Sequence, residues 1–215
     1  MKDMTQGNPV KEVLLFSVPM ILASVFQQMY NAVDSIIVGQ FVGANALAAV
    51  GAAFPAMFLA MSVLIGITMG VQIIISQLFG AGEHERMRAT FATSIISLMI
   101  LVVIASVIGY FASGTILELM NTPPEIIADS KAYLDEIFKG LIFMFLYNLY
   151  TSVLRGVGDS KTPLYFLIIS SILNIVLDLV YVIQFGMGVR GVAVATVQSQ
   201  AVSVILCIIY TNIRI

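Results

Sequence analysis

Two carboxylates, Asp34 and Asp178, lie inside long stretches of the sequence that are otherwise apolar. A charge buried in hydrocarbon costs several kcal/mol, so an acid at such a position indicates function. Asn174 precedes Asp178 by four residues, and a helix places positions four apart on the same face. An acid and an amide that share a face inside a membrane predict an ion or proton site.

The elements that carry these residues follow from composition. The chain is 60% hydrophobic and only 10% charged, and its mean hydropathy is +1.02. Soluble domains contain about 25% charged residues, so this composition indicates an integral membrane protein surrounded by the lipid bilayer. There is no basic stripe in the sequence, which argues against a nucleic-acid partner.

Apolar runs of about 20 residues predict an all-α membrane protein with six transmembrane helices in a single lobe that spans residues 1–215. The predicted spans are 13–38, 47–78, 89–111, 133–154, 163–185 and 192–210. The second run is long enough to tilt or to extend beyond the bilayer. We expect residues 113–129, which contain Pro123-Pro124 and no Lys or Arg, to form a connection outside the spans.

The basic residues predict the orientation of these spans. Seven of the ten Lys and Arg residues fall on one side of the predicted membrane. Cytoplasmic loops carry an excess of basic residues, so both termini are expected in the cytoplasm of a cell-membrane protein. The seven are Lys2, Lys11, Arg86, Arg88, Arg155, Lys161 and Arg214, and the other three are Lys131, Lys139 and Arg190.

A depth estimate brings the polar residues together. With a rise of about 1.5 Å per residue, Asp34, Asp178 and Thr196 share one depth in the outer half of the bilayer, and Asn174 lies one turn deeper. Oxygen donors suit Na⁺, and neighbouring acids favour binding a single proton or cation. The alternative is that Asn174 and Asp178 only hold helices together, and that Thr196 bonds its own helix.

The first span carries a second polar set. Gln27, Asn31 and Asp34 follow helical spacing and form one polar face, as expected of a helix that lines a cavity. Pro19 lies upstream on the same helix, where a proline removes a backbone hydrogen bond and predicts a kink. A kinked helix with a titratable acid is a candidate moving part; static packing is the alternative.

Several other patterns indicate no chemistry. Gly186 to Gly191 matches a dinucleotide-binding pattern but joins two predicted membrane helices, which favours a tight turn. Asp159 follows Gly158 as in an intramembrane aspartyl protease, yet it lies some 28 Å along the chain from Asp178. Cys207 is expected to be a buried thiol and His84 a solvated loop residue. We therefore expect neither an enzyme nor a cofactor.

Motifs along the whole chain resemble the amino-terminal lobe of multidrug and toxic compound extrusion (MATE) transporters. They are Pro19, Gln27-Gln28, Asp34 and Gly39 running into Ala46-Leu-Ala-Ala-Val-Gly51; Leu154-Arg-Gly-Val-Gly-Asp-Ser-Lys-Thr-Pro163; Asn174-x-x-x-Asp178; and Gly191-Val-Ala-Val-Ala-Thr196.

The resemblance implies a drug antiporter for amphipathic, often cationic, compounds, driven by Na⁺ or H⁺. It implies that Asp34, Asn174, Asp178 and Thr196 form the cation or proton site. Tyr133 and Asn148 on the fourth span would belong to the same polar cavity. The bending first helix of the family would correspond to the segment around Pro19.

Family members have about twelve spans in two lobes, and transport needs one lobe to move against the other. This chain resembles only the first lobe, so we expect a missing carboxy-terminal lobe or, alternatively, a second copy of the chain as its partner. Two other functions stay open: a membrane lobe that acts only in folding or interaction, and a related carrier for lipid-linked substrates.

Overall fold

Six long helices make up the chain in a computed structural model, which describes the backbone from Pro9 to Arg214 and side chains from Val13 to Ile213. Two of the helices end in a single π-helical turn, in which the hydrogen bonds span one residue more than in an α-helix. The elements are α1 (Pro9–Ile37) with its π turn (Val38–Val42), α2 (Ala44–Gly80), α3 (His84–Leu119), α4 (Pro124–Gly156), α5 (Lys161–Leu179) with its π turn (Val180–Gln184), and α6 (Gly188–Arg214).

All six helices are long and apolar enough to cross a membrane. Large apolar side chains cover their outer surfaces; Phe58, Leu59 and Ile96, for example, are each more than 60% exposed. Such a surface is stable only against lipid, since a soluble protein rarely exposes a contiguous apolar area of this extent. The chain is therefore a multi-pass membrane protein, as its composition predicts.

The fourth helix forms the centre of the lobe. Of its most apolar stretch 67% is buried inside the protein, against 11% for α3. It packs against α2, α3 and α6, while α1 reaches the rest of the lobe mainly through α5. The approach of α4 to α6 is close because Gly140 faces Val197, where a Cβ atom would overlap the valine side chain.

Short connections join the helices at the two ends of the lobe. We call the end with residues 81–83 and 157–160 the basic end, since Arg86, Arg88, Arg155 and Lys161 lie in or beside these connections. The other three connections lie at the opposite end. One of them is the single residue Gly43, whose φ of 121° requires glycine and allows α2 to turn back directly after the first π turn.

The predicted connection at residues 113–129 is wrong. Helix α3 continues to Leu119 and α4 begins at Pro124, so only residues 120–123 lie between them. The helices continue because polar side chains past the apolar run find partners: Ser113 donates to Asp135, and Ser130 donates to the backbone oxygen of Ala49. Proline at the first turn of α4 costs no helical hydrogen bond and starts the helix.

Three of the basic residues that predict the orientation lie wholly or partly outside the described part of the chain. Lys2 lies outside the described residues, as do the side chains of Lys11 and Arg214. The sidedness of the termini therefore stays a prediction. The basic end is nevertheless a local feature of the described helices, and it lies opposite the end to which the helices carry Asp34 and Asp178.

Candidate cation site

Three helices bring the four predicted site residues to one place. Asp34 comes from α1, Asn174 and Asp178 come from α5, and Thr196 comes from α6. Asn174 and Asp178 are completely buried and Thr196 is 8% exposed, whereas Asp34 is half-buried at the edge of the cluster. We call these four residues, together with Tyr30, the acid pocket.

The side-chain amide of Asn174 joins the two acids. With its nitrogen toward α6 it makes one long contact, of 3.4 Å, to Thr196 Oγ1. With the amide reversed, Nδ2 donates to Asp34 Oδ1 at 2.8 Å and to Asp178 Oδ2 at 3.2 Å, and Oδ1 accepts from the Thr196 backbone N–H at 3.3 Å. We assign the reversed orientation, because an amide nitrogen can only donate and a carboxylate needs donors.

Tyr30 is a member of the pocket that the sequence analysis missed. Its side chain is 8% exposed, and its hydroxyl donates to Thr196 Oγ1 at 3.3 Å, which links α1 directly to α6. A signal was present in the sequence, since Tyr30 precedes Asp34 by four residues and so shares its helix face. Predicted member Tyr133 of α4 is also buried, and its hydroxyl lies within electrostatic range of both carboxylates.

Four further predicted residues lie outside the acid pocket. Gln27 and Asn31 form a side-chain network with Gln28, at 3.5 and 3.3 Å, on the open face of α1. The Asn148 amide donates to its own helix at Met144 O, and Asn148 lies about 22 Å along α4 from Tyr133. Pro19 is buried inside α1, which runs through it as one helix; a kink there stays a prediction.

Both acid-bearing helices end in a π turn, a feature that the sequence analysis did not predict. The turn begins four residues after Asp34 on α1 and two residues after Asp178 on α5. π-Helical turns inside membrane or soluble helices occur frequently at functional sites, because they free a backbone carbonyl and rotate the residues that follow. The two turns touch each other at the end of the lobe nearest the pocket.

The groups that line the pocket limit which ion could bind there. Among the described residues no Lys, Arg or His hydrogen-bonds to Asp34 or Asp178, and Asp178 Oδ1 is buried with no hydrogen-bond partner. The described part of the chain also holds no group of three or more His, Cys, Asp or Glu side chains suited to a metal ion. A bound ion would therefore be a proton, or Na⁺ held by two carboxylates and neutral oxygens.

A second acidic group nearby has the opposite character. Lys131 binds Asp135 at 2.6 Å, and Glu136 accepts from both Lys139, at 2.9 Å, and Arg190, at 2.8 Å. These five residues, the α4 ion-pair cluster, lie on the first half of α4 and the start of α6. Each acid there has a basic side chain of the protein as its partner, so an exchangeable cation has no place.

The remaining candidate residues have local roles. His84 packs edge-on against Phe79 at 5.6 Å between ring centroids, and Cys207 is fully buried. Asp159 lies at the basic end, where it accepts hydrogen bonds from Thr162, Lys161 and Tyr210. The helix between Asp159 and Asp178 is continuous, so about 26 Å separates them and no carboxylate dyad can form.

A six-helix membrane lobe in which an amide bridges two carboxylates is an architecture found among secondary transporters. Comparison with known proteins identifies the family. Residues 19–180 match the MatE family, and the chain therefore belongs to it.

The relatives show how much of such a protein this chain represents. It is 40% identical over 208 residues to the "Probable multidrug resistance protein YoeA" of Bacillus subtilis, covering 95% of this chain and 45% of that protein. A MATE protein crystallised in its bent conformation superposes with a TM-score of 0.86 at 30% identity, over 95% of this chain and 45% of its own. A transporter of the MOP superfamily from Pyrococcus furiosus, for which reversed polarity of the binding pocket is described, gives 0.90 at 28% identity, over 97% and 46%. The chain thus spans about half the length of these relatives.

Proposed function

We propose that this chain is one lobe of a secondary antiporter that expels amphipathic, often cationic, compounds across the cytoplasmic membrane in exchange for Na⁺ or H⁺. The observation that carries the proposal is the acid pocket, in which Asn174 bridges the buried Asp178 and the half-buried Asp34. No Lys, Arg or His of the described residues hydrogen-bonds to either acid. Its close relative is named as a multidrug resistance protein, which supports drugs as the transported class.

The pocket would couple transport to the ion through charge. With no ion bound, two buried carboxylates repel each other across the Asn174 amide, and a single proton or Na⁺ relieves this repulsion. The ion then holds α1 against α5 and α6, while its release frees α1, which has few other contacts with the lobe. The site acts on the drug because α1 also carries Gln27 and Asn31 on its open face.

A complete carrier needs a second lobe. Alternating access requires one bundle to move against another around a central path, and one six-helix lobe offers only one wall of it. We propose that the partner is a second six-helix lobe or a second copy of this chain. The half-length match to the relatives supports such a partner. We also propose that the basic end of the lobe and both termini face the cytoplasm, which the excess of basic residues at that end supports.

Efflux from proteoliposomes with an imposed Na⁺ or H⁺ gradient tests this proposal. We expect drug efflux that follows one gradient, and we expect Asp178→Asn to abolish it. Asp135→Asn is the matched control, because it removes an acid of the α4 ion-pair cluster without touching the pocket. Equal efflux by the chain and by Asp178→Asn would contradict the proposal.

The 215-residue chain is also tested by binding, which does not require a partner lobe. We expect Na⁺ or acid pH to raise the Tm of the chain in detergent, since a ligand that binds only the folded state stabilises it. Asp178→Asn should remove this rise. If neither efflux nor an ion-dependent Tm is seen, the lobe has no coupling site and serves only in folding or interaction.

A further inference from the structure

A buried polar face runs along α6 from the acid pocket toward the basic end. Apart from the adjacent pair Ser199 and Gln200, its members recur every three or four residues and so lie on one side of the helix. Among them Ser199, Ser203 and Cys207 are fully buried, and Thr211 is 2% exposed. We call this set the α6 polar face; it consists of Thr196, Ser199, Gln200, Ser203, Cys207 and Thr211.

Hydrogen bonding on this face is incomplete. Gln200 Oε1, Ser203 Oγ and Thr211 Oγ1 are buried and have no partner among the described residues. Ser199 on the same face donates to the backbone oxygen of Thr196 at 2.9 Å, as Ser62 and Ser76 on the outer surfaces donate within their own helices. A buried polar group without a partner costs about 1–3 kcal/mol, so three along one face indicate that water molecules serve as their partners.

Both ends of the face reach groups that hold or exchange protons. At one end Thr196 contacts Tyr30 and Asn174 of the acid pocket. At the other end Tyr210, next to Thr211, donates to Asp159 Oδ2 at 3.0 Å in the connection between α4 and α5. Thus one side of α6 connects the pocket with the basic end.

Neighbouring helices contribute further polar groups along the way. Ser170 of α5 donates to the backbone oxygen of Ser199 at 3.2 Å, and both side chains are buried. From α4, the Tyr147 hydroxyl donates to the backbone oxygen of Pro163 at 3.5 Å. Tyr147 and Tyr150 both interact electrostatically with Cys207, and Arg155 interacts with Tyr147. No carboxylate lies between the pocket and Asp159 on α5 or α6.

The spacing fits a chain of hydrogen bonds through water. The steps from Thr196 to Ser199, Ser203, Cys207 and Thr211 are about 4.5–6 Å along the axis, with Gln200 next to Ser199. One water molecule bridges such a distance with two hydrogen bonds, and the whole face is about 22 Å long. Hydroxyls both donate and accept, so they can relay a proton, while a dehydrated Na⁺ needs several oxygens at every step.

We propose that the α6 polar face is a hydrated proton path between the acid pocket and the basic end. One proton leaves the carboxyl group of Asp34 or Asp178, which becomes a carboxylate, and one proton appears in water beside Asp159. Along the path only bonds to hydrogen break and form. This inference rests on the proposed function, because it supplies the exit of the coupling proton to the cytoplasm.

Cys207, the only cysteine of the chain, lies on this face and reports whether water reaches it. The experiment transfers the chain, in lipid nanodiscs, into D₂O and follows conversion of the Cys207 S–H stretch to S–D by infrared spectroscopy. We expect conversion within the mixing time or seconds, while the helix amides of the same sample exchange at least about a hundredfold more slowly. Conversion as slow as that of the helix amides would overturn the proposal.

Variants of Thr211 and Ser203 locate the entry of water. Thr211 lies between Cys207 and the basic end, and Thr211→Val keeps its shape but loses the hydroxyl, whereas Thr211→Ser keeps the hydroxyl. We expect Thr211→Val to slow S–D conversion about tenfold and Thr211→Ser to change it less than twofold. If Ser203→Val slows conversion and Thr211→Val does not, water enters only from the pocket and the path to the basic end is refuted.

A transport measurement tests the role of the path in coupling. Ser203→Val should lower efflux driven by a proton gradient about tenfold at unchanged drug affinity. Ser203→Thr, which has the size of valine but carries a hydroxyl, should keep efflux within twofold of the unmodified chain. Unchanged efflux in Ser203→Val would overturn the proton role. Failure of the proposed function is seen separately, as efflux that is insensitive to Asp178→Asn, so the two failures are distinguishable.

Discussion

The acid pocket and the α4 ion-pair cluster use the same acidic side chains in opposite ways. In the cluster, Asp135 and Glu136 each contact a basic side chain at 2.6–2.9 Å. In the pocket, Asp34 and Asp178 share one neutral amide, and an oxygen of Asp178 has no partner among the described residues.

The difference shows why an acid that is paired with a basic side chain of the protein is a poor site for an exchangeable cation. An acid that already has an ammonium or guanidinium partner gains little from a further cation. An acid held only by neutral donors in a low-dielectric site gains much from a proton or Na⁺, because the Coulomb energy there is several times its value in water. The cluster therefore holds helices together, while the pocket, under the proposed function, would bind and release an ion.

The largest effect on ion binding is expected when a basic side chain is placed beside the acids of the pocket, as in the α4 ion-pair cluster. Asn174→Lys would place an ammonium between Asp34 and Asp178, where it substitutes for the exchangeable ion. We expect the dependence of Tm on Na⁺ and pH to disappear and gradient-driven efflux to be lost. Thermal unfolding of the variant across a series of Na⁺ concentrations checks this, and a rise in Tm like that of the unmodified chain would contradict it.

A smaller effect is expected from the neutral partners of the pocket. Tyr30→Phe removes the hydroxyl that donates to Thr196 Oγ1 and leaves the ring in place. Since a typical hydrogen bond contributes about 0.5–1.5 kcal/mol, we expect the affinity for the coupling ion to fall about two- to tenfold. Titration of Tm with Na⁺ or pH measures this. Tyr181→Phe, whose hydroxyl bonds Gln198 outside the pocket, is the control and should leave the affinity unchanged.

Asp159 differs from the acids of both the pocket and the cluster. Among the described residues it has no basic partner, yet both of its oxygens accept hydrogen bonds. Burial would raise the pKa of Asp159, but the hydrogen bonds from the Thr162 backbone and hydroxyl, from Tyr210 and from the Lys161 backbone outweigh it and lower the pKa below its ordinary value. Hydrogen bonds from neutral donors thus suffice to stabilise a carboxylate near the membrane surface, where water still screens it.

The stability that Asp159 contributes has a defined pH dependence. A lowered folded-state pKa gives a contribution that is present above the unfolded pKa of about 3.9 and is lost as the pH falls through the folded value. We expect Asp159→Ala to destabilise the lobe by about 1 kcal/mol, equally from pH 5 to 8, with the difference shrinking below about pH 4. Denaturation in detergent at several pH values checks this; a difference that changes between pH 6 and 8 would count against it.

The smallest effect is expected in the α4 ion-pair cluster. Glu136→Gln removes the charge that holds Lys139 and Arg190, but these basic side chains are 47% and 59% exposed and water screens them. We expect a loss of stability below about 0.5 kcal/mol and no change in the dependence of Tm on Na⁺. If Glu136→Gln abolished that dependence, the coupling ion would bind at the cluster and the comparison would be refuted.

The fold and the candidate site were predictable to different degrees. Six helices followed from hydropathy, because a bilayer requires about 20 apolar residues per span, and this signal is local. The extension of α3 and α4 over the predicted connection was not predictable from it, since Ser113 and Ser130 find their partners only on other helices. Asn148 was placed in the cavity by resemblance, yet it lies far along α4 from Tyr133.

The sequence by itself determined which helices carry the acids and that Asn174 and Asp178 share a face, because rise and turn angle are properties of one helix. Only the tertiary structure decided that the Asn174 amide bridges both acids and that Tyr30 reaches Thr196 across 166 residues. It also decided that Asp178 has no basic partner among the described residues, while Glu136 has two. These facts depend on the rotation and contact of helices distant in sequence, and helix rotation is set by packing around α4 rather than by any local pattern.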